Sequence, residues 1–176
     1  MQPMCNIALR AARAAGELIV KAADNLDIVR VDEKSRNDFV TDVDRISEQS
    51  IIHNLSKAYP HHSFRGEETG KSGDPKSEFE WIIDPLDGTT NFAAGIPYWA
   101  ISIARFTNGQ PETAFLDIPA LKKRIFAIRG KGVWLNNKPL KPESRFKKNS
   151  DCISLCSRSI KVLQMKPEQS FPGKIR

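Results

Sequence analysis

The 176-residue sequence predicts an α+β fold, two N-terminal helices on a largely antiparallel sheet. Three observations carry this expectation. Residues 4–23 and 41–58 repeat apolar side chains at helical spacing. From residue 63 onward, short apolar runs alternate with turn signals, as strands do. Turns such as Asn108-Gly109 and Asn136-Asn137 join consecutive runs, so the strands read as a meander and not as βαβ units.

The first helix is expected from Met4 to about Ala23, with Ile7, Ala11, Ala14, Leu18 and Ala22 on one stripe. Asp27 to Asn37 is polar and charged, and reads as a short extended piece and a loop. The second helix is expected to begin at Thr41, because Thr41-x-x-Asp44 fits a capping box with Asp in place of Glu. On that reading alone Asp44 is a helix-start residue. Ile51, Leu55 and Ala58 continue its apolar stripe, and Tyr59-Pro60 ends it. Ser63-Phe64-Arg65 is a short strand that presents Gly66-Glu67-Glu68 at its end, and Thr69 to Ser77 reads as a loop. Strands follow at Trp81-Ile82-Ile83, from Trp99 to Ala104, from Thr113 to Asp117, from Lys123 to Ile128 and from Val133 to Leu135. Arg145 to Asn149 reads as a linker, Ile153 to Leu155 as a strand, and residues 158–168 as helical. Two domains are expected, 1–145 for metal and phosphate binding and 146–176 as the start of a truncated second one.

Composition narrows the function classes. Hydrophobic residues make up 40% and charged residues 27%, an ordinary globular balance that excludes a disordered or fibrous chain. No apolar stretch approaches the roughly 20 residues of a membrane span, so no membrane partner is expected. Cys5, Cys152 and Cys156 are odd in number and form no C-x-x-C pair, which points to reduced thiols and a cytoplasmic protein. The charge is divided: residues 1–120 carry 12 Lys+Arg against 18 Asp+Glu, and residues 121–176 carry 15 against 3. The basic residues are scattered through hairpins without an aromatic stacking ladder, so a solvated surface is expected and a nucleic-acid partner is not. Gly130-Lys131-Gly132 lacks the spacing and the following hydroxyl of a P-loop.

The chemistry concentrates in Glu80-Trp-Ile-Ile-Asp84-Pro-Leu-Asp87-Gly-Thr89-Thr-Asn-Phe92. Pro85 denies the sheet a donor, so the strand is expected to stop after Asp84 and turn. Asp84, the Leu86 carbonyl and Asp87 then supply hard oxygen ligands, the set Mg²⁺ prefers. Gly88 and Thr89 open a short helix whose free N–H groups suit a phosphate. Asp-Pro and Asp-Gly are also ordinary turn formers, so this motif alone is equally a structural turn. Adjacent Glu67 and Glu68 repel each other unless a cation or solvent separates them. His61 and His62 have no soft ligands nearby and read as loop residues.

Gly66-Glu67-Glu68 followed by Trp81-Ile-Ile-Asp84-Pro-Leu-Asp87-Gly-Thr89-Thr-Asn-Phe92, with Thr41-Asp42-Val43-Asp44 upstream, resembles the inositol monophosphatase family. The resemblance covers residues 1 to about 140. It implies the layered α/β sandwich of the inositol monophosphatase and fructose-1,6-bisphosphatase type, and a Mg²⁺-dependent, commonly lithium-sensitive phosphomonoesterase in which Mn²⁺ can substitute. Glu67, Asp84, the Leu86 carbonyl and Asp87 match the family's metal ligands. Thr89, with Asp44, matches the pair that orients and activates the attacking water, so Asp44, Thr89 and Glu67 are the candidate catalytic residues. The backbone at Gly88 and Thr89 matches the phosphate clamp, and Glu68 a supporting acid.

The expected substrate is a small phosphorylated metabolite, inositol-1-phosphate by preference. Fructose-1,6-bisphosphate and a 3′-phosphoadenosine nucleotide are alternatives within the class. The rival from another class is a non-catalytic binding module associated with the transcription machinery, to which similar bacterial proteins have been linked. The family's second half carries a Trp-Asp motif; here Trp81, Trp99 and Trp134 precede Ile82, Ala100 and Leu135. The expectation is therefore a chain lacking its C-terminal part and turning over slowly or not at all. A homodimer is the expectation only for a protein of intact length.

Overall fold

The computed structural model of the chain describes residues 3–25 and 33–140. Two helices lead, α1 over Pro3–Asn25 and α2 over Glu33–Ala58. The strands are β1 Ser63–Gly66, β2 Gly70–Gly73, β3 Phe79–Asp87, β4 Ala100–Thr107, β5 Gln110–Ile118, β6 Lys123–Ile128, β7 Gly132–Leu135 and β8 Lys138–Leu140. A short helix α3, Thr89–Ala93, follows β3, and a 3-10 turn, Pro119–Leu121, follows β5. One sheet holds all these strands in the order β2-β1-β3-β4-β5-β6-β7-β8. Its pairs from β3 to β7 are antiparallel, as is β1 with β2, whereas β1 and β3 run parallel. The α+β class with two leading helices and a largely antiparallel sheet is what the sequence predicts.

The core lies between the helices and one face of the sheet. Ile83, Ile103, Phe115 and Phe126 stand opposite one another across four successive strands and are all buried. Each such side chain removed from water contributes about 1.5–3 kcal/mol. The alternation of buried and half-buried residues in β4 and β5 follows from the two-residue period of a strand with one covered face. Helix α1 approaches closely because it presents Ala8, Ala11, Ala12 and Ala15, with Gly16 where a Cβ would lie 3.2 Å from Pro119. The two-residue turns Asn108-Gly109 and Asn136-Asn137 hold both residues at positive φ, as the primed hairpin turns require.

Three expectations change. Helix α2 starts at Glu33, eight residues before Thr41, so Thr41-x-x-Asp44 lies inside the helix and not at its start. Residues 33–40 contain no Gly or Pro, and nothing in them halts a helix propagating upstream. The buried stripe of α1 is Cys5, Ala8, Leu9, Ala11, Ala12, Ala15 and Ile19; of the predicted stripe Ala11 is buried, whereas Leu18 is 39% exposed. An alanine-rich helix offers several apolar faces, and packing selects among them. The loop expected from Thr69 contains β2, whose Gly-Lys-Ser-Gly sequence pairs with β1 through backbone alone.

The described residues up to Pro139 belong to one compact unit, Met1–Pro139. The extended piece from Asp27 falls largely outside the described residues. So do the boundary at 145/146, the linker Arg145 to Asn149, the strand Ile153 to Leu155, the helix over 158–168, Cys152 and Cys156.

Candidate active site

Parallel pairing of β1 with β3 builds the site. Gly66 lies opposite Ile83, and the Glu67 N–H donates to the Ile83 carbonyl at 3.1 Å. The next step of this register sets Glu67 beside Asp84. Strand β3 does not stop at Pro85 but continues to Asp87. Asp84 faces Ser102 and Asp87 faces Ala100, so three steps on β3 match two on β4. That extra residue is a bulge, the one place inside a sheet where proline's missing donor is tolerated. In a regular strand, residues three apart point to opposite faces; the bulge removes this parity and lets Asp84 and Asp87 face the same charges.

Beyond the bulge the chain turns at Gly88, whose φ of 99° is left-handed. A Cβ there would lie 2.8 Å from the Tyr98 carbonyl, so both the conformation and the space call for glycine. Helix α3 begins at once, with the Phe92 N–H donating to the Gly88 carbonyl at 3.0 Å. Buried Phe92 packs edge-on against Trp99, anchoring this helix to the sheet. The Thr89 hydroxyl donates to the Leu86 carbonyl at 3.0 Å. Among the described residues no hydrogen bond joins Thr89 to Asp44.

Helix α2 supplies the other wall. Asp44, Ser47 and Glu48 are buried on one face, at the spacing of successive turns. One Asp44 oxygen, Oδ1, has no partner, and neither has Oδ2 of Asp84. Glu48 accepts from the backbone N–H groups of Glu68 at 2.9 Å and Thr69 at 2.8 Å, and from the Thr69 hydroxyl. The sequence reading missed Glu48. Its signal was present, since Glu48 lies one helical turn after Asp44.

Burial first, and neighbouring acids second, raise the pKa values of Asp44, Asp84 and Glu67. Burial, then Glu68, Glu67 and Glu48, push Asp44 up to about 8. Burial, then Glu67, Asp87 and Asp44, push Asp84 up to about 8. Glu67 is exposed overall, yet partial burial of its carboxyl raises its pKa, with Glu68, Asp87 and Glu48 adding to the rise. A hydrogen bond from Asp84 opposes this rise.

A divalent cation would fit here. The donors are carboxylate and carbonyl oxygens, two buried carboxylate oxygens lack partners, and a positive charge removes the repulsion that keeps the acids protonated. Among the described residues, no group of three or more His, Cys, Asp or Glu side chains is placed so as to hold a metal ion. A cavity of about 620 Å³ lined by Arg13, Lys21, Asp117, Lys122 and Arg124 shares no residue with this cluster.

A model of the inositol monophosphatase family matches residues 1–170. The chain is 48% identical over 147 residues to Nus factor SuhB of Pseudomonas aeruginosa, covering 82% of this chain and 54% of that protein. It is 46% identical over 149 residues to a putative Nus factor SuhB of Neisseria meningitidis, covering 85% and 57%. The fold is similar to the extragenic suppressor protein SuhB of Bartonella henselae, with a TM-score of 0.73, 32% identity and coverage of 86% and 58%. It is also similar to an inositol monophosphatase from Anabaena, with a TM-score of 0.68, 31% identity and coverage of 82% and 51%. The chain spans just over half the length of the relatives it matches. Among the described residues, no helix is long and apolar enough to cross a membrane.

Proposed function

The chain belongs to the inositol monophosphatase family, and from that premise we propose that residues 1–145 are the metal- and phosphate-binding part of a cytoplasmic phosphomonoesterase. The single observation that carries the reading is the β1–β3 register, which sets Glu67 beside an Asp84 whose Oδ2 is buried without a partner. Glu67, Asp84, the Leu86 carbonyl and Asp87 would hold Mg²⁺, or Mn²⁺ in its place, with Glu68 in support. Such an ion, when bound, would supply Lewis acidity toward the phosphoryl group. The chain's own residues do the rest. Backbone N–H groups at Gly88 and Thr89 clamp the phosphate where a Cβ has no room. The Thr89 hydroxyl and the unpartnered Asp44 Oδ1 orient a water between them, and Asp44 accepts its proton. Inositol-1-phosphate is the proposed substrate and Li⁺ an expected inhibitor. Cys5, Cys152 and Cys156 are odd in number, which fits a reducing compartment.

Release of inorganic phosphate from inositol-1-phosphate is the test, with and without Mg²⁺. Metal-dependent release that Asp84→Asn abolishes, and that Thr89→Ala lowers in kcat by about 10²-fold with little change in KM, supports the reading. Equal release by wild type and Asp84→Asn would sink it.

A second reading rests on the names of the relatives, Nus factor SuhB at 46–48% identity. On it, the chain binds the transcription machinery and its acids serve structure. Retention of transcription-factor binding by a catalytically silent Asp84→Asn chain would favour this reading over the first.

A further inference from the structure

The geometry points to Glu48 as a positioning residue: its carboxylate holds the turn from Gly66 to Thr69 so that Glu67 faces Asp84. This rests on the proposed cation site and names the part of α2 that organises it. Glu48 is fully buried, 0% exposed, and every hydrogen bond it accepts comes from this turn. Oε2 takes the Glu68 N–H, while Oε1 takes both the N–H and the hydroxyl of Thr69. The Glu67 N–H is held by the Ile83 carbonyl. Glu67 is therefore fixed from both sides, through its own N–H by β3 and through the next two by α2. Gly66 completes the arrangement, because a Cβ built there would collide with the Glu48 carboxylate. The carboxylate fills the space beside the strand end.

Chemistry explains why the residue is an acid. Three donors converge on two oxygens, and an ionised carboxylate only accepts. A glutamine of the same shape would turn an NH₂ group toward one of those donors. The turn would then lose at least one hydrogen bond, and Glu67 its aim.

Calorimetric titration of the 176-residue chain with Mn²⁺ tests this, alongside melting without metal. Folded Glu48→Gln is expected to bind Mn²⁺ at least about tenfold more weakly, the usual cost of losing a partner that orients a ligand. Thr69→Val, which removes one of the three bonds, is expected to weaken binding less and in the same direction. The decisive readout is a double-mutant cycle. If Glu48 acts through Glu67, adding Glu67→Gln to Glu48→Gln costs little more, whereas a purely structural role gives additive losses. Wild-type affinity in folded Glu48→Gln, or additive losses, would overturn the inference. Should Glu48→Gln fail to fold, Thr69→Val with Glu67→Gln carries the same cycle, and wild-type affinity in Thr69→Val overturns it. A wild-type chain binding Mn²⁺ no better than Asp84→Asn would remove the cation site itself, and this inference with it.

Discussion

Asp44 and Asp84 are acids held where water poorly solvates their charge, and this makes the chain's stability depend on pH in an unusual sense. Both rise from 3.8 to about 8 in the folded state. The unfolded chain gives up these protons near pH 4, and the folded chain keeps them to about pH 8. Their contribution is thus fully present below about pH 4 and is lost as pH rises toward 8. His62, lowered from 6.5 mainly by burial, works the other way but only below that pH. Between pH 6.5 and 8 and without divalent ions, the melting temperature is expected to fall by at least roughly 2–4 °C, the effect of about 1 kcal/mol in a domain of this size. Millimolar Mg²⁺ should flatten the slope, since a cation favours the ionised acids. Asp44→Asn, which resembles the protonated acid, should flatten it partly without metal. A melting temperature that does not change from pH 6.5 to 8, with or without Mg²⁺, would show that these acids do not interact as described. At this scale the sequence displayed the acids and their motif. It did not display burial, the largest cause of the rise at Asp44 and at Asp84.

Elements were legible where backbone chemistry is written in side chains. Asn108-Gly109 and Asn136-Asn137 announced their turns because few residues tolerate positive φ. The apolar run Trp81-Ile82-Ile83 announced β3. Its continuation through Pro85 was hidden, because a bulge depends on the partner strand as well as on the proline. The start of α2 was misread for a related reason: Thr41 and Asp44 have the chemistry of a cap, but the helix was already under way. Gly88 tests how firmly the turn after β3 is specified. Its φ of 99° and the Tyr98 carbonyl 2.8 Å from a would-be Cβ leave no strain-free place for alanine. Gly88→Ala is expected to cost about 1–3 kcal/mol, read as a lower urea midpoint at unchanged slope. It should also weaken Mn²⁺ binding, because Leu86 and Thr89 flank the displaced residue. An unchanged midpoint and affinity would mean that the turn yields freely.

At the scale of the whole molecule, the parallel pairing of β1 with β3 inside an otherwise antiparallel sheet is what creates the site, and no local pattern foretold it. Residues 67–78 leave β1, form β2 on its outer side and return to start β3 on its inner side. Two strand ends then carry Glu67 and Asp84 in the same direction. The same global view bounds the chemistry of these 176 residues. Asp44, Glu67, Glu68, Asp84 and Asp87 concentrate negative charge, and a phosphate monoester adds roughly two more charges. On the proposed reading one cation would have Glu67, Asp84 and the Leu86 carbonyl available, and a second would have to share Asp84 and Asp87. No Trp-Asp pair occurs in the sequence to supply a further acid. A second ion filling its shell with water would therefore be held weakly, and the charge of bound substrate would stay under-compensated. The chain as given is expected to bind Mn²⁺ yet hydrolyse inositol-1-phosphate more slowly than about 1 s⁻¹, the low end of typical enzyme rates. On the proposed reading, fusion to the C-terminal remainder of the Pseudomonas aeruginosa relative, of which the match covers 54%, should raise that rate at least about tenfold, the gain expected of a better-held second ion. A monomeric, cooperatively melting 176-residue chain that works at about 1 s⁻¹ or faster would show that the residues described here already compensate the charge.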